Sequence, residues 1–270
     1  MFKLSMMSST AGRVPAEKVI EIARKSGISG IEWINSHGSS GKELRQLVCD
    51  SGLKTVGYTM YDETFVNRGS DYLDRFKEHL EIAVDAESPQ MMIPPFGRIN
   101  SKGMEEDRKE WIGYFQEVYP LAEAAGMMLT LESTGLPDSP IVSAAEHLEV
   151  FESVPGMKLV FDNGNTFCAD DPLTAYQKLF PRIIHIHLKD TYISDISDGI
   201  SLRTRNGKFT RQAMIGRGQQ DLRSFLKLVD DSGYDGWITL ESSDPERKIP
   251  ITKVLINNIS LIRSWEKECF

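Results

Sequence analysis

The chain has 270 residues, 40% of them hydrophobic and 26% charged, a balance typical of folded globular proteins and not of disordered ones. Its formal net charge of -8 disfavours a surface that neutralises nucleic-acid phosphates. Three scattered cysteines, Cys49, Cys168 and Cys269, lack disulfide-framework or thiolate-zinc spacing, and no stretch approaches the roughly 20 apolar residues that cross a bilayer, so a cytoplasmic protein with no membrane anchor is expected.

The opening MFKLSMMSST turns polar before reaching signal-peptide length, and its apolar part, Phe2 to Met6, reads as the first strand. Onward from there, short apolar runs alternate with longer segments of helical period, which predicts βα units and a parallel sheet. The further strands are Gly30 to Ile34, Thr55 to Tyr58, Gln90 to Pro94, Met128 to Glu132, Lys158 to Asp162, Ile183 to His187 and Trp237 to Glu241. Several are near-continuous apolar runs, as strands covered on both faces are. Pro15 to Lys25 reads as the first helix, with Pro15 in the first turn and Gly27 as its stop. The same succession of helix, glycine and strand recurs at Gly52, Gly126 and Gly233. From Asp190 to about Ile215 no strand or helix pattern is clear, and so long a stretch reads as a functional loop. Eight strands in a chain of this length predict an α/β fold, a (β/α)8 TIM barrel forming one domain over residues 1–270, rather than an open doubly wound sheet.

In such a barrel the chemistry lies at the C-terminal ends of the strands. Four strands end in a metal-ligating residue: Glu132, Asp162, His187 and Glu241. A single carboxylate after a buried strand is as readily a helix cap. Several on one rim would repel one another by several kcal/mol without a cation. Three carboxylates and an imidazole suit manganese, magnesium, cobalt or zinc rather than a thiolate-selected metal.

The strings HIHLKD at His185 to Asp190, GRGQQDL at Gly216 to Leu222 and GYDGWITLE up to Glu241 resemble the xylose isomerase-like superfamily of sugar isomerases and epimerases, which also contains endonuclease IV. The resemblance runs from the second strand to the eighth. It implies one divalent metal ion, manganese first among the four, bound by Glu132, Asp162, His187 and Glu241. It also implies a metal-stabilised enediolate across which Glu132 and Glu241 exchange a proton, in a ketose, keto-acid or related polyol. The expected enzyme is an isomerase or epimerase; a lyase dehydrating a keto-inositol or dehydroshikimate shares the first step. Family members are often dimers or tetramers, so the resemblance allows a homo-oligomer.

Around this set, Asn165, His185, Lys189 and Arg217 are the expected substrate-binding residues. Asn165 stands where many members have histidine, which keeps a polar contact but removes a titrating group. His185 lies one layer deeper than His187 on the same face, as a partner of the ligands or a core histidine. Lys189 continues that face outward. Arg203, Arg205 and Lys208, with Arg217, are candidates for a phosphate or carboxylate, Trp33 and Phe96 for a sugar face, and Glu32 for a structural role. Of the remaining histidines, His37 follows the second strand, whereas His79 and His147 fall in helices. So few histidines, with the acidic charge, argue against an endonuclease; a barrel that binds without turnover is the remaining class.

Overall fold

Period-two patterning closes the barrel. In strands β1 (Lys3–Met7), β2 (Gly30–Ile34), β3 (Lys54–Thr59), β4 (Gln90–Ile93), β5 (Met128–Glu132), β6 (Lys158–Asp162) and β7 (Ile183–Leu188), successive side chains point to opposite faces. One set, including Leu4, Met6, Ile31, Trp33, Leu131 and Phe161, joins the apolar core packed under the helices. The other set is rich in buried polar residues, among them Ser5, Glu32, Thr59, Gln90 and His185. Three strands, β8 (Asp190–Ser194), β9 (Leu202–Arg203) and β10 (Phe209–Ala213), precede the last, β11 (Trp237–Leu240). The computed structural model describes residues 1–99 and 101–269. Its parallel strands close in the order β1-β11-β7-β6-β5-β4-β3-β2, the TIM barrel that the patterning predicts.

The helices are α1 (Ala16–Ser26), α2 (Gly41–Ser51), α3 (Glu63–Val66), α4 (Tyr72–Asp85), α5 (Met104–Ala124), α6 (Ala144–Ser153), α7 (Asn163–Thr166), α8 (Pro172–Leu179), α9 (Leu222–Asp231) and α10 (Ile251–Cys269). Helix α1 starts after Pro15 and stops at Gly27, whose φ of 78° a residue with a Cβ resists. Among the described residues no helix is long and apolar enough to cross a membrane. Cys49 is exposed and Cys168 buried, both as free thiols, and the Cys269 side chain lies outside the described residues.

The stretch from Asp190 to Ile215, expected as a loop, instead folds into an antiparallel flap of order β8-β10-β9. Its strands are two to five residues long and only partly buried, too short and too mixed for alternation to stand out from a loop. Barrel strand ends also shift: β1 runs Lys3–Met7 rather than Phe2 to Met6, and β11 stops at Leu240. Pairing with the neighbour, not hydrophobicity, sets those limits.

Arg205, expected near an anionic ligand, is instead committed to Glu146 through two hydrogen bonds of 2.7 Å each. Glu146 also closes the capping box of α6 with Ser143. Burial pushes this carboxyl up, but Arg205 and the N–H groups of Ser143 and Val142 outweigh it and hold it at about 2. A depressed carboxylate stabilises the fold above its ordinary value and loses that contribution as pH falls through its folded one. About 3 kcal/mol should therefore disappear between pH 4.5 and about 2. Unfolding free energies of wild type and Glu146→Gln are expected to differ above pH 4.5 and converge below 2; parallel curves would refute the assignment.

Candidate functional site

Parallel register carries four side chains to one rim. Asp162 pairs with His187 across β6 and β7, and Glu241 extends the β11 ladder by donating its N–H to Leu188 O at 3.1 Å. Glu132 ends β5, beside β6. The ligating atoms of Glu132, Asp162, His187 and Glu241 all lie within 4.8 Å of one another. His187 Nδ1 stands 2.8 Å from Glu132 Oε1, 2.8 Å from Glu241 Oε1 and 4.0 Å from Asp162 Oδ2. Lys189 Nζ lies 2.8 Å from both Asp162 Oδ2 and Glu241 Oε2.

Electrostatics fit a cation here. The contact of Asp162 Oδ2 with Lys189 is an ion pair out of line for a hydrogen bond, so this fully buried oxygen keeps an unused lone pair. Burial pushes Glu132 up to about 8, with His187 offsetting part of the rise. Burial also works against Glu241, but Lys189 and His187 hold it at about 2. Burial lowers His187 too, yet Glu32 and Glu132 raise it well above the ordinary imidazole value. The chain thus balances its carboxylates by keeping protons on Glu132 and His187. A divalent cation would displace those protons, as metal binding to such ligands does.

Glu132 and Glu241 open onto a cavity of about 430 Å³ whose polar lining also includes Asn165, Lys189, Arg211 and Gln212. The other half of the barrel contributes Met7, Ile34 and Met92 from its strands, and Tyr61 and Phe96 from the segments after β3 and β4. Asn165 lies in this lining, held by donation from its Nδ2 to Ser133 O at 2.7 Å. Phe96 meets Tyr61 edge-on, with ring centroids 5.4 Å apart.

Other expected contacts are not at the cavity. His185 lies beneath it, with Nε2 2.7 Å from Thr239 Oγ1 and 3.0 Å from Glu32 Oε2. A deeper position on the same strand face keeps it from the lining. Arg203 and Arg217 are exposed and absent from the cavity lining, and Lys208 pairs with Asp195. The arginine that lines the cavity is Arg211 of the flap strand β10; its guanidinium lies over the Tyr192 ring at 4.8 Å and its Nε is 3.4 Å from Asp198 Oδ2. Reading this segment as a loop hid that residue. Trp33 is turned by the pleat of β2 into the helix-side core. His37 bonds Val14 O and Ser8 Oγ at 2.8 Å each, His79 bonds the Tyr58 hydroxyl, and His147 bonds Ser143 O.

The two most distinctive strings turn out to bond each other. Asp190, closing HIHLKD, accepts from the backbone N–H groups of Gly216 and Gly218 at 2.9 Å each and Gln220 at 3.2 Å. A Cβ on Gly218 would come 2.1 Å from Asp190 Oδ1. The glycine-rich string therefore clamps the base of the flap to the end of β7, and through it Arg211 and Gln212 to the cavity.

Comparison with known proteins gives three findings. A family model described as xylose isomerase-like TIM barrel matches residues 20–265. Inosose dehydratase of Lacticaseibacillus casei is 34% identical over 107 residues, 37% of this chain; the match spans only 35% of that relative's length. Among solved structures, the IOLI protein with a binding zinc atom aligns over 100% of this chain and 99% of its own at 18% identity and TM-score 0.78. L-ribulose 3-epimerase aligns over 99% and 95% at 13% identity and TM-score 0.79. At these identities the structural likeness shows the fold.

Proposed function

The chain belongs to the xylose isomerase-like TIM barrel family, and on that premise we propose that it is a metal-dependent enzyme that takes a proton from the carbon beside a carbonyl in a sugar-derived keto compound and eliminates water. The observation that carries this reading is the convergence of Glu132, Asp162, His187 and Glu241, with donor atoms within 4.8 Å of one another, beside a cavity that Glu132 and Glu241 line. Their oxygen and nitrogen donors suit manganese, magnesium, cobalt or zinc, and zinc is the metal named for the IOLI structure. When bound, such an ion supplies Lewis-acid polarisation of neighbouring carbonyl and hydroxyl oxygens.

The chain's own groups account for the proton traffic. Glu241, ionised at the cavity wall, accepts the carbon-bound proton while the C–H electron pair moves toward the carbonyl. As that pair returns to form a carbon–carbon double bond, the C–O bond to the adjacent hydroxyl breaks. Lys189 donates a proton to the departing oxygen, which leaves as water. With Glu241 Oε2 and Lys189 Nζ 2.8 Å apart, the abstracted proton passes back to the lysine and both groups are restored. Elimination is also the activity in the name of the inosose dehydratase relative.

A second reading, isomerisation or epimerisation, is favoured by one observation. Glu132 and Glu241 sit on separate strands yet both reach His187 Nδ1 at 2.8 Å, so two carboxylates are available to remove and return a proton. The test is manganese- or zinc-loaded enzyme in D₂O with keto-inositols, dehydroshikimate and ketoses. Product lighter by one water supports elimination. Deuterium exchange without loss of water supports the second reading. Exchange into none of them sinks both.

A further inference from the structure

Glu32 occupies a position that in a barrel interior is ordinarily apolar, and its side chain is fully buried. A carboxylate there is costly unless donors converge on it. Three do. Thr59 Oγ1 donates to Oε1 at 2.7 Å, while His187 Nε2 and His185 Nε2 lie 2.7 Å and 3.0 Å from Oε2. Strand β2 is separated from β7 by β1 and β11, so the side chain crosses the barrel interior to make these contacts.

Two backbone features serve this reach. The β2–β3 register shifts between Ile31 and Glu32, a bulge of the kind that re-aims a side chain. Opposite it, β3 carries Gly57, where a Cβ would come 3.2 Å from Glu32 Cγ. That contact is tighter than a Cβ ordinarily makes, so the glycine eases the approach.

The consequence falls on His187. Its two ring nitrogens face different partners: Nε2 faces Glu32, and Nδ1 faces Glu132 and Glu241. An ionised carboxylate only accepts, so the nitrogen facing Glu32 is the one that keeps its proton. We propose that Glu32 is a positioning residue that pins the Nε2 proton of His187 and thereby presents Nδ1 as the metal-binding nitrogen. Metal-ligating histidines commonly donate their other N–H to such a partner, and losing it costs about 10–100-fold in metal affinity. The inference rests on the reading of Glu132, Asp162, His187 and Glu241 as a metal centre.

The test measures zinc affinity by chelator competition and ¹⁵N imidazole shifts in zinc-loaded protein, in which only five histidines must be assigned. Wild type is expected to carry zinc on His187 Nδ1 and a proton on Nε2. Glu32→Leu, which removes the acceptor, is expected to lose about 10–100-fold in affinity. Glu32→Gln, which keeps an acceptor oxygen, should recover much of the loss. A folded Glu32→Leu that binds zinc as wild type does, or zinc on Nε2 in wild type, overturns the proposal while leaving the metal centre intact. Wild type that binds no divalent metal overturns the centre and the proposal with it. Should Glu32→Leu fail to fold, Thr59→Val frees Oε1 alone and is expected to weaken zinc several-fold; unchanged affinity there counts against the proposal.

Discussion

Glu241→Gln is expected to lower turnover by about 10²–10⁴-fold and to reduce the metal retained through purification. Both effects follow from one side chain. Its carboxylate lies 2.8 Å from His187 Nδ1 on one oxygen and 2.8 Å from Lys189 Nζ on the other, at the wall of the cavity. Glutamine keeps the shape and one acceptor oxygen but can neither take a proton from carbon nor return it to Lys189. Metal content measured beside deuterium exchange separates the two losses. Saturating metal is expected to restore occupancy without restoring exchange. Recovery of exchange under metal excess would make Glu241 a ligand only and move the proton transfer to Glu132.

Lys189→Met tests the other half of the mechanism. In the metal-free protein the lysine faces Asp162 and Glu241 from within the site, and those carboxylates raise it well above its ordinary value despite burial. Removing one partner of a buried ion pair leaves its charge uncompensated, at a cost of about 3–5 kcal/mol. For a chain of this size the metal-free variant should melt roughly 10 °C below wild type. A divalent cation compensates the carboxylates that the missing lysine leaves unpaired, whereas in wild type it must compete with the lysine, so metal should stabilise the variant more than wild type and narrow the gap. Deuterium exchange is expected to persist in the loaded variant while loss of water stops, because proton abstraction rests on Glu241 and protonation of the leaving hydroxyl on Lys189. Unimpaired water loss would remove Lys189 from the reaction.

Patterning alone made the barrel legible, because strand alternation and helix stops are local properties of the chain. The positions of Glu132, Asp162, His187 and Glu241 were legible for a related reason. In a parallel barrel every strand delivers its last residues to the same rim, so a side chain at a strand's end is located by sequence order. The strings around Asp190 and Gly216 were visible too, but not their bond to each other, which joins segments 26 and 28 residues apart through backbone N–H groups.

Tertiary structure alone decided the rest. The flap strands between Asp190 and Ala213 are too short for periodicity, so only the folded flap places Arg211 in the cavity lining, while Arg205 binds Glu146 and Arg217 is exposed. Glu32 looked like an ordinary strand-end carboxylate. Its partner His187 is 155 residues away in sequence, and the two meet at 2.7 Å only across the closed barrel, beside a bulge and a facing glycine. Sequence determines which groups stand on which rim, because that depends on period and order; which of them touch across the barrel depends on register and closure, which no local stretch of the chain contains.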